Sequence, residues 1–278
     1  MPVHRSGTAA PSRRRRLFAA GTLLAALTLL LTLPGAASAD TVPERGTARM
    51  GQGVIAHDGQ GGTPPTGTRA VQTEGVDVAS HQGNVAWSTL WSSGVKWAYV
   101  KATEGTYYKN TYFTQQYTGS YNVGMIRGTY HFATPDTTSG AAQANYFVDN
   151  GGGWSKDGRT LPGVLDIEWN PYGAQCYGKT QAAMVAWIRD FVNTYKARTG
   201  RDAVIYTATS WWKDCTGNNA GFGTTNPLWV ARYNTTVGEL PAGWGVYTIW
   251  QYTSSGPTVG DHNHFNGALD RVVALANG

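Results

Sequence analysis

Beyond residue 73 the chain alternates short apolar runs with polar or amphipathic stretches. The runs at 75–78, 96–101, 124–132, 163–169, 203–207, 227–233 and 245–253, and a short one near Asp261, are rich in Val, Ile, Tyr and Trp, and several open on Gly or Pro. Such residues suit a pleated, buried surface and predict strands. Between them, 180–198 carries Met184, Ile188, Phe191, Val192 and Tyr195 on one helical stripe, with Gly200 as a stop. Segments 110–122 and 139–149 predict two weaker helices. This alternation predicts an α/β fold with a mainly parallel sheet. About eight strands in one domain favour closure into a TIM-like β/α barrel. From 203 on, the connections are shorter and weakly helical, so the barrel is expected to be irregular, with fewer helices than strands.

The first 72 residues break the pattern. Arg13 to Arg16 precede an apolar stretch over 17–33, and Ala37-Ser38-Ala39 stands before Asp40. Basic, apolar and small-residue parts in that order predict a secretory signal peptide over 1–39, and hence an extracellular protein with no membrane insertion after its removal. Arg15-Arg16-Leu17-Phe18 also resembles a twin-arginine signal, an alternative to ordinary secretion. Residues 40–72, rich in Gly, Thr, Pro and Gln, lack an apolar period and predict a linker or pro-segment, with His57-Asp58 solvated inside it. That leaves 73–278 as a single large domain.

Removing the leader changes the charge argument. The formal net charge of +5 includes Arg5 and Arg13 to Arg16, with no acid before Asp40, so the exported chain holds 17 basic and 17 acidic residues. Near-neutral charge gives no support for a nucleic-acid partner or a basic membrane patch. Cys176 and Cys215 are the only cysteines. An even count in an oxidising compartment suggests one disulfide, and neither has metal-ligand spacing to a second Cys or His.

Candidate chemistry sits in Val164-Leu165-Asp166-Ile167-Glu168-Trp169. Strand side chains alternate, so Asp166 and Glu168 are expected on one face of a strand that is otherwise apolar. Burying two acids there is costly unless they work, and glycoside hydrolysis needs two nearby carboxyls in different protonation states. Active groups of such barrels gather at the C-terminal ends of strands. The predicted ends offer Asp77, Lys101 to Glu104, Tyr130-His131, Asp166 and Glu168, Tyr206, Trp250-Gln251 and Asp261. His131 is expected to be a satisfied rim histidine, and Lys101 with Glu104 a structural ion pair. The 11 Trp residues suit both a core and a glycan groove; Trp250 and Trp169 are assigned to the groove, Trp97 and Trp187 to the core.

Six blocks in order carry a resemblance: Gly75-Val76-Asp77-Val78, Ala98 through Gly105, Arg127 through Phe132, Leu165 through Glu168, Trp250-Gln251-Tyr252 and Asp261 through Phe265. Together they resemble the lysozymes of glycoside hydrolase family 25, the Chalaropsis-type muramidases. The resemblance implies an irregular β/α barrel that cleaves β-1,4 bonds between N-acetylmuramic acid and N-acetylglucosamine in peptidoglycan, without a cofactor or metal and as a monomer. It implies Glu168 as general acid and Asp166 as its partner, either steering a substrate acetamido group or acting more directly. Asp77 and Asp261 would be further acids lining the site, Tyr130, Tyr206 and Trp250 would lie near sugar subsites, and Cys176 would pair with Cys215. His81 stands where many relatives carry an aromatic residue. A chitinase-like hydrolase and a glycan-binding module that has lost catalysis are the alternatives; the retained Asp166 and Glu168 argue against the second.

Overall fold

The computed structural model describes residues 42–64 and 71–278, so the signal peptide expected over 1–39 lies outside the described residues. Strands form at β1 (Thr73–Val78), β2 (Trp97–Glu104), β3 (Tyr108–Lys109), β4 (Ile126–Phe132), β5 (Val164–Asp166), β6 (Val204–Ala208), β7 (Leu228–Ala231), β8 (Ile249–Thr253) and β9 (Asp261–Phe265). Helices are α1 (Val54–Asp58), α2 (Trp87–Ser92), α3 (Phe113–Asn122), α4 (Gly140–Phe147), α5 (Gln181–Thr199), α6 (Thr209–Thr216) and α7 (Leu269–Asn277). The sheet runs β1-β9-β8-β7-β6-β5-β4-β2, and β2 pairs back with β1 to close an eight-stranded barrel; β3 is a short antiparallel flap on β2. Pairings from β1 through β8 around the β2 side are parallel, whereas β9 is antiparallel to both β8 and β1. Reversing β9 places Asp261, its first residue, opposite Asp77 near the end of β1. No helix lies between β7 and β8 or between β8 and β9. The barrel is therefore irregular, as expected.

The long helix is well specified locally. The Thr180 hydroxyl accepts from Ala183 N–H at 3.3 Å as an N-cap, and Gly200 closes the other end in the left-handed region at φ 74°. The expected stripe is buried, joined by Trp187. Ser139 caps α4 in the same way, accepting from Ala142 N–H at 3.1 Å. The short helices α2, α6 and α7 were not anticipated, because one or two turns leave little room for a periodic apolar stripe.

The lower part of the barrel interior is filled by rings. Trp97 meets Trp229 and Phe265 edge-to-face at 6.3 Å, and Tyr99 lies 5.0 Å from Trp229. Two interior glycines make room: a Cβ on Gly75 would stand 2.1 Å from Trp97, and one on Gly128 2.2 Å from Tyr99. Outside, a disulfide joins Cys176, after β5, to Cys215 of α6, with Cα atoms 5.4 Å apart. It closes 39 residues of sequence separation, worth roughly 3–4 kcal/mol by the chain-entropy relation.

Candidate active site

Above the aromatic layers the interior turns acidic. Asp166 is the last residue of β5, and Glu168 lies two residues beyond it. The expected strand over 163–169 is thus shorter, because its pairing with β6 ends at Tyr206. Ile167 N–H still donates to Tyr206 C=O at 3.0 Å, which keeps the backbone extended past the last ladder pair. Both carboxyls are buried, and so are Asp77 and Asp261.

The four acids differ in their partners. Asp77 Oδ2 accepts from Asn263 Nδ2 at 2.7 Å and from Gln251 Nε2 at 2.9 Å. Gln251 Oε1 in turn accepts from Tyr206 at 2.6 Å and from Tyr233 at 2.9 Å, while Asn263 Oδ1 accepts from Trp229 Nε1 at 2.8 Å. A continuous polar network thus ties the top aromatic ring of the core to the acidic rim. By contrast, neither carboxylate oxygen of Asp166 has a protein hydrogen-bond partner. A buried carboxyl left without a donor is costly in a folding sense and is the strongest local mark of a group kept for a ligand.

Burial raises the pKa of all four. Burial pushes Glu168 up to about 8, helped by the charge of Asp77 and opposed by backbone N–H groups at Gly51 and Gly53. Burial takes Asp77 up to about 7 against its two amide donors. Asp166 rises because it is buried and beside Glu168, with the Lys101 ammonium pulling the other way. Asp261 rises through burial and the neighbouring Asp77. Buried carboxyls in one cluster cannot all ionise, so protons are retained there at neutral pH.

Residues 45–61, expected as part of a solvated linker or pro-segment, lie across this mouth. Met50 and Val54 are buried, although composition alone shows no apolar period there. Gly51 N–H donates to Glu168 Oε1 at 2.6 Å, and Gly53 N–H to Oε2 at 3.4 Å. The His57 ring stacks on Trp169 with centroids 4.5 Å apart and planes 9° from parallel. Asp58 remains exposed while accepting from Ser210 Oγ at 2.8 Å.

A family model described as Glycosyl hydrolases family 25 matches residues 76–261. The chain belongs to that family. It is 46% identical to lysozyme M1 of Streptomyces globisporus over 294 aligned residues, covering 100% of this chain and 99% of the relative. It is also 46% identical to an N,O-diacetylmuramidase of a Chalaropsis species, covering 74% of this chain and 99% of that one. Among solved structures, a muramidase from Acremonium alcalophilum superposes with a TM-score of 0.73 at 55% identity, over 74% of this chain and 99% of that chain.

The family 25 barrel brings Asp77, Asp166, Glu168, Asp261, Tyr130 and Tyr206 to one mouth, with Trp169 at its edge. Tyr130 is buried among these acids and is hydrogen-bonded to the Met50 backbone. One assigned residue is elsewhere. Gln251 points inward, so its neighbour Trp250 points outward. Trp250 is packed among Tyr247, Tyr252 and His264, and donates from Nε1 to Arg232 C=O at 2.8 Å. It is a buried packing residue, not a groove residue. Gln251, which the strand ends offered without a role, reaches the acids together with Asn263 and Tyr233, which were not singled out. His131 is buried between Phe147 and Phe191, bonded to Thr103 at 2.7 Å and Gln143 at 2.9 Å, and burial drops its pKa to about 4. Lys101 and Glu104 form a fully buried ion pair at 2.6 Å. His81 lies in a short turn over Ser80–Gln82.

Proposed function

We propose that Glu168 is the proton donor and Asp166 the acetamido-directed partner in this peptidoglycan-cleaving muramidase. As a family 25 lysozyme, the chain hydrolyses the glycan of bacterial cell walls. The finer assignment is the β-1,4 bond following N-acetylmuramic acid. The carrying observation is the contrast within the pair: Glu168 is held protonatable near neutrality by burial, and Asp166 has both oxygens free of protein donors.

An ordinary glutamate is ionised at pH 7 and cannot protonate a leaving oxygen. Raised to about 8, Glu168 carries its proton at neutral pH and delivers it as the glycosidic bond breaks. Asp166 then meets the N–H of the substrate's 2-acetamido group, whose oxygen attacks the anomeric carbon, and it offsets the positive charge that develops on that nitrogen. Lys101 biases Asp166 toward its ionised form once water reaches the mouth. Asp77 keeps Glu168 protonated by its own charge, and the amide network of Gln251 and Asn263 holds Asp77 in place. Tyr130, Tyr206 and Trp169 offer ring surface for sugars. Asp261 completes the acidic lining. The enzyme acts outside the cell, as a monomer. Digesting defined peptidoglycan and reading the new reducing ends by mass spectrometry tests the bond assignment; muramic acid at the reducing end is expected, and glucosamine there contradicts it.

A further inference from the structure

Residues 45–61 cross the whole mouth and are anchored from one rim to the other. At one rim the Arg45 guanidinium pairs with Asp136 at 2.7 Å and lies 5.0 Å from the Tyr172 ring. Gly46 N–H donates to Glu104 Oε1 at 2.8 Å, and Ala48 receives the Lys101 ammonium on its carbonyl while its N–H reaches Tyr172 at 3.0 Å. In the centre, Met50 and Gly51 lie over Tyr130 and Glu168. Where the segment passes Asp77, Tyr130 and Asp261, the remaining space is about 10 Å³, room for about one water and far too little for a sugar ring. At the far rim Gly61 N–H donates to Tyr233 C=O at 2.7 Å. No sugar ring can reach Asp166 or Glu168 while this seat is filled.

We propose that residues 45–61 are an intramolecular inhibitor that occupies the glycan cleft until the chain is cut beyond them. The inference rests on Glu168 being the acid. Three features support it beyond simple occupancy. The segment binds through backbone groups on the residues the reaction uses: Gly51 and Gly53 N–H groups occupy both carboxyl oxygens of Glu168, at 2.6 and 3.4 Å, where a glycosidic oxygen would have to come. The His57 ring lies flat on Trp169, the placement a sugar ring would take on an indole face. The seat also demands this sequence. Gly51 has φ 75°, and a Cβ there would lie 2.1 Å from the Tyr233 hydroxyl and 2.5 Å from Gln251 Oε1.

Covalent linkage makes the inhibitor effective. Tethered to β1, the segment faces the cleft at an effective concentration of order millimolar; cutting the tether leaves it only its own affinity at the enzyme's dilution. Gly62 and Thr63, just past the Gly61 anchor, are exposed and open to a protease.

The test uses the exported chain, residues 40–278, with a site for a sequence-specific protease inserted between Gly62 and Thr63. Release of reducing ends from peptidoglycan is measured before cutting and after cutting and removal of the freed peptide. A rise of about 100-fold is expected. Equal rates before and after the cut, with Glu168→Gln still inactive, overturn the inhibitor and leave the proposed function standing. A cut, peptide-free chain that is folded but inactive overturns both. A second arm uses the uncut Gly51→Val variant, whose segment cannot seat. It is expected to match the cut enzyme in rate and to expose residues 45–61 to hydrogen exchange; exposure without a gain in rate overturns the proposal.

Discussion

The two ends of one barrel are built on opposite principles. At the lower end Trp97, Tyr99, Trp229 and Phe265 fill the interior with dry ring contacts, and glycines clear the space that the rings need. At the upper end β1, β5 and β9 place Asp77, Asp166 and Asp261, with Glu168 just beyond, also buried. The lower end gains stability from apolar burial; the upper end holds carboxyls whose desolvation opposes folding. The difference teaches where each residue type belongs in this fold. Burial alone does not mark a core residue, and the unpartnered acid Asp166 is the clearest departure from core behaviour.

Substitutions at the two ends should therefore fail in different ways. The largest effect is expected at Glu168→Gln. Loss of a positioned proton donor should lower wall hydrolysis by about 10³-fold or more with the melting temperature retained or raised; reducing-end release and calorimetry on the same sample check it. Near-normal lysis would remove Glu168 from its role. Trp97→Ala is the mirror case: it should cost about 3–5 kcal/mol in denaturant titration, while the molecules that remain folded keep much of their turnover. Asp166→Asn should lower kcat by about 10²–10³-fold, more than it changes KM, which a full saturation curve resolves. An unchanged kcat with a raised KM would make Asp166 a binding residue only.

The smallest effect is on stability against pH. Asp77 and Glu168 keep protons when folded that the unfolded chain releases above the ordinary values of 3.8 and 4.5. Between those values and about 7 and 8 the folded chain binds more protons, so these two groups make stability fall as pH rises. His131 acts oppositely: lowered from 6.5 to about 4, it stays neutral when folded and subtracts stability as pH falls through that range. Glu168→Gln should thus gain a few degrees of melting temperature over the parent chain at about pH 8 and less at about pH 5. A constant difference across that range would contradict a raised Glu168.

Much of the barrel was legible because its signals are local. The β-rich runs found their strands within a few residues, and the stripe from Met184 to Tyr195 with its Thr180 cap and Gly200 stop gave α5 nearly to its ends. The pair Asp166 and Glu168 stood out because acids are expensive in an apolar run. Trp250 was misplaced because an aromatic residue reads equally as groove or packing. Only the inward Gln251, bonded to Asp77 and Tyr206, decides which face it takes. The seat of residues 45–61 was not legible at all. It is made by Gly and Ala backbone groups meeting Glu168, Glu104 and Lys101, and backbone donors leave no mark in a pattern of side chains.

By itself, then, the sequence determined the alternation of strands and helices, the closed barrel and the presence of a paired-acid chemistry, since periodicity and the cost of a buried charge act over a few neighbouring residues. The tertiary structure alone decided which acid lacks a partner, which tryptophan faces the cleft, and what lies over Glu168. Each of those depends on groups more than a hundred residues apart, such as Gly51 and Glu168, brought within one hydrogen bond only when the barrel closes.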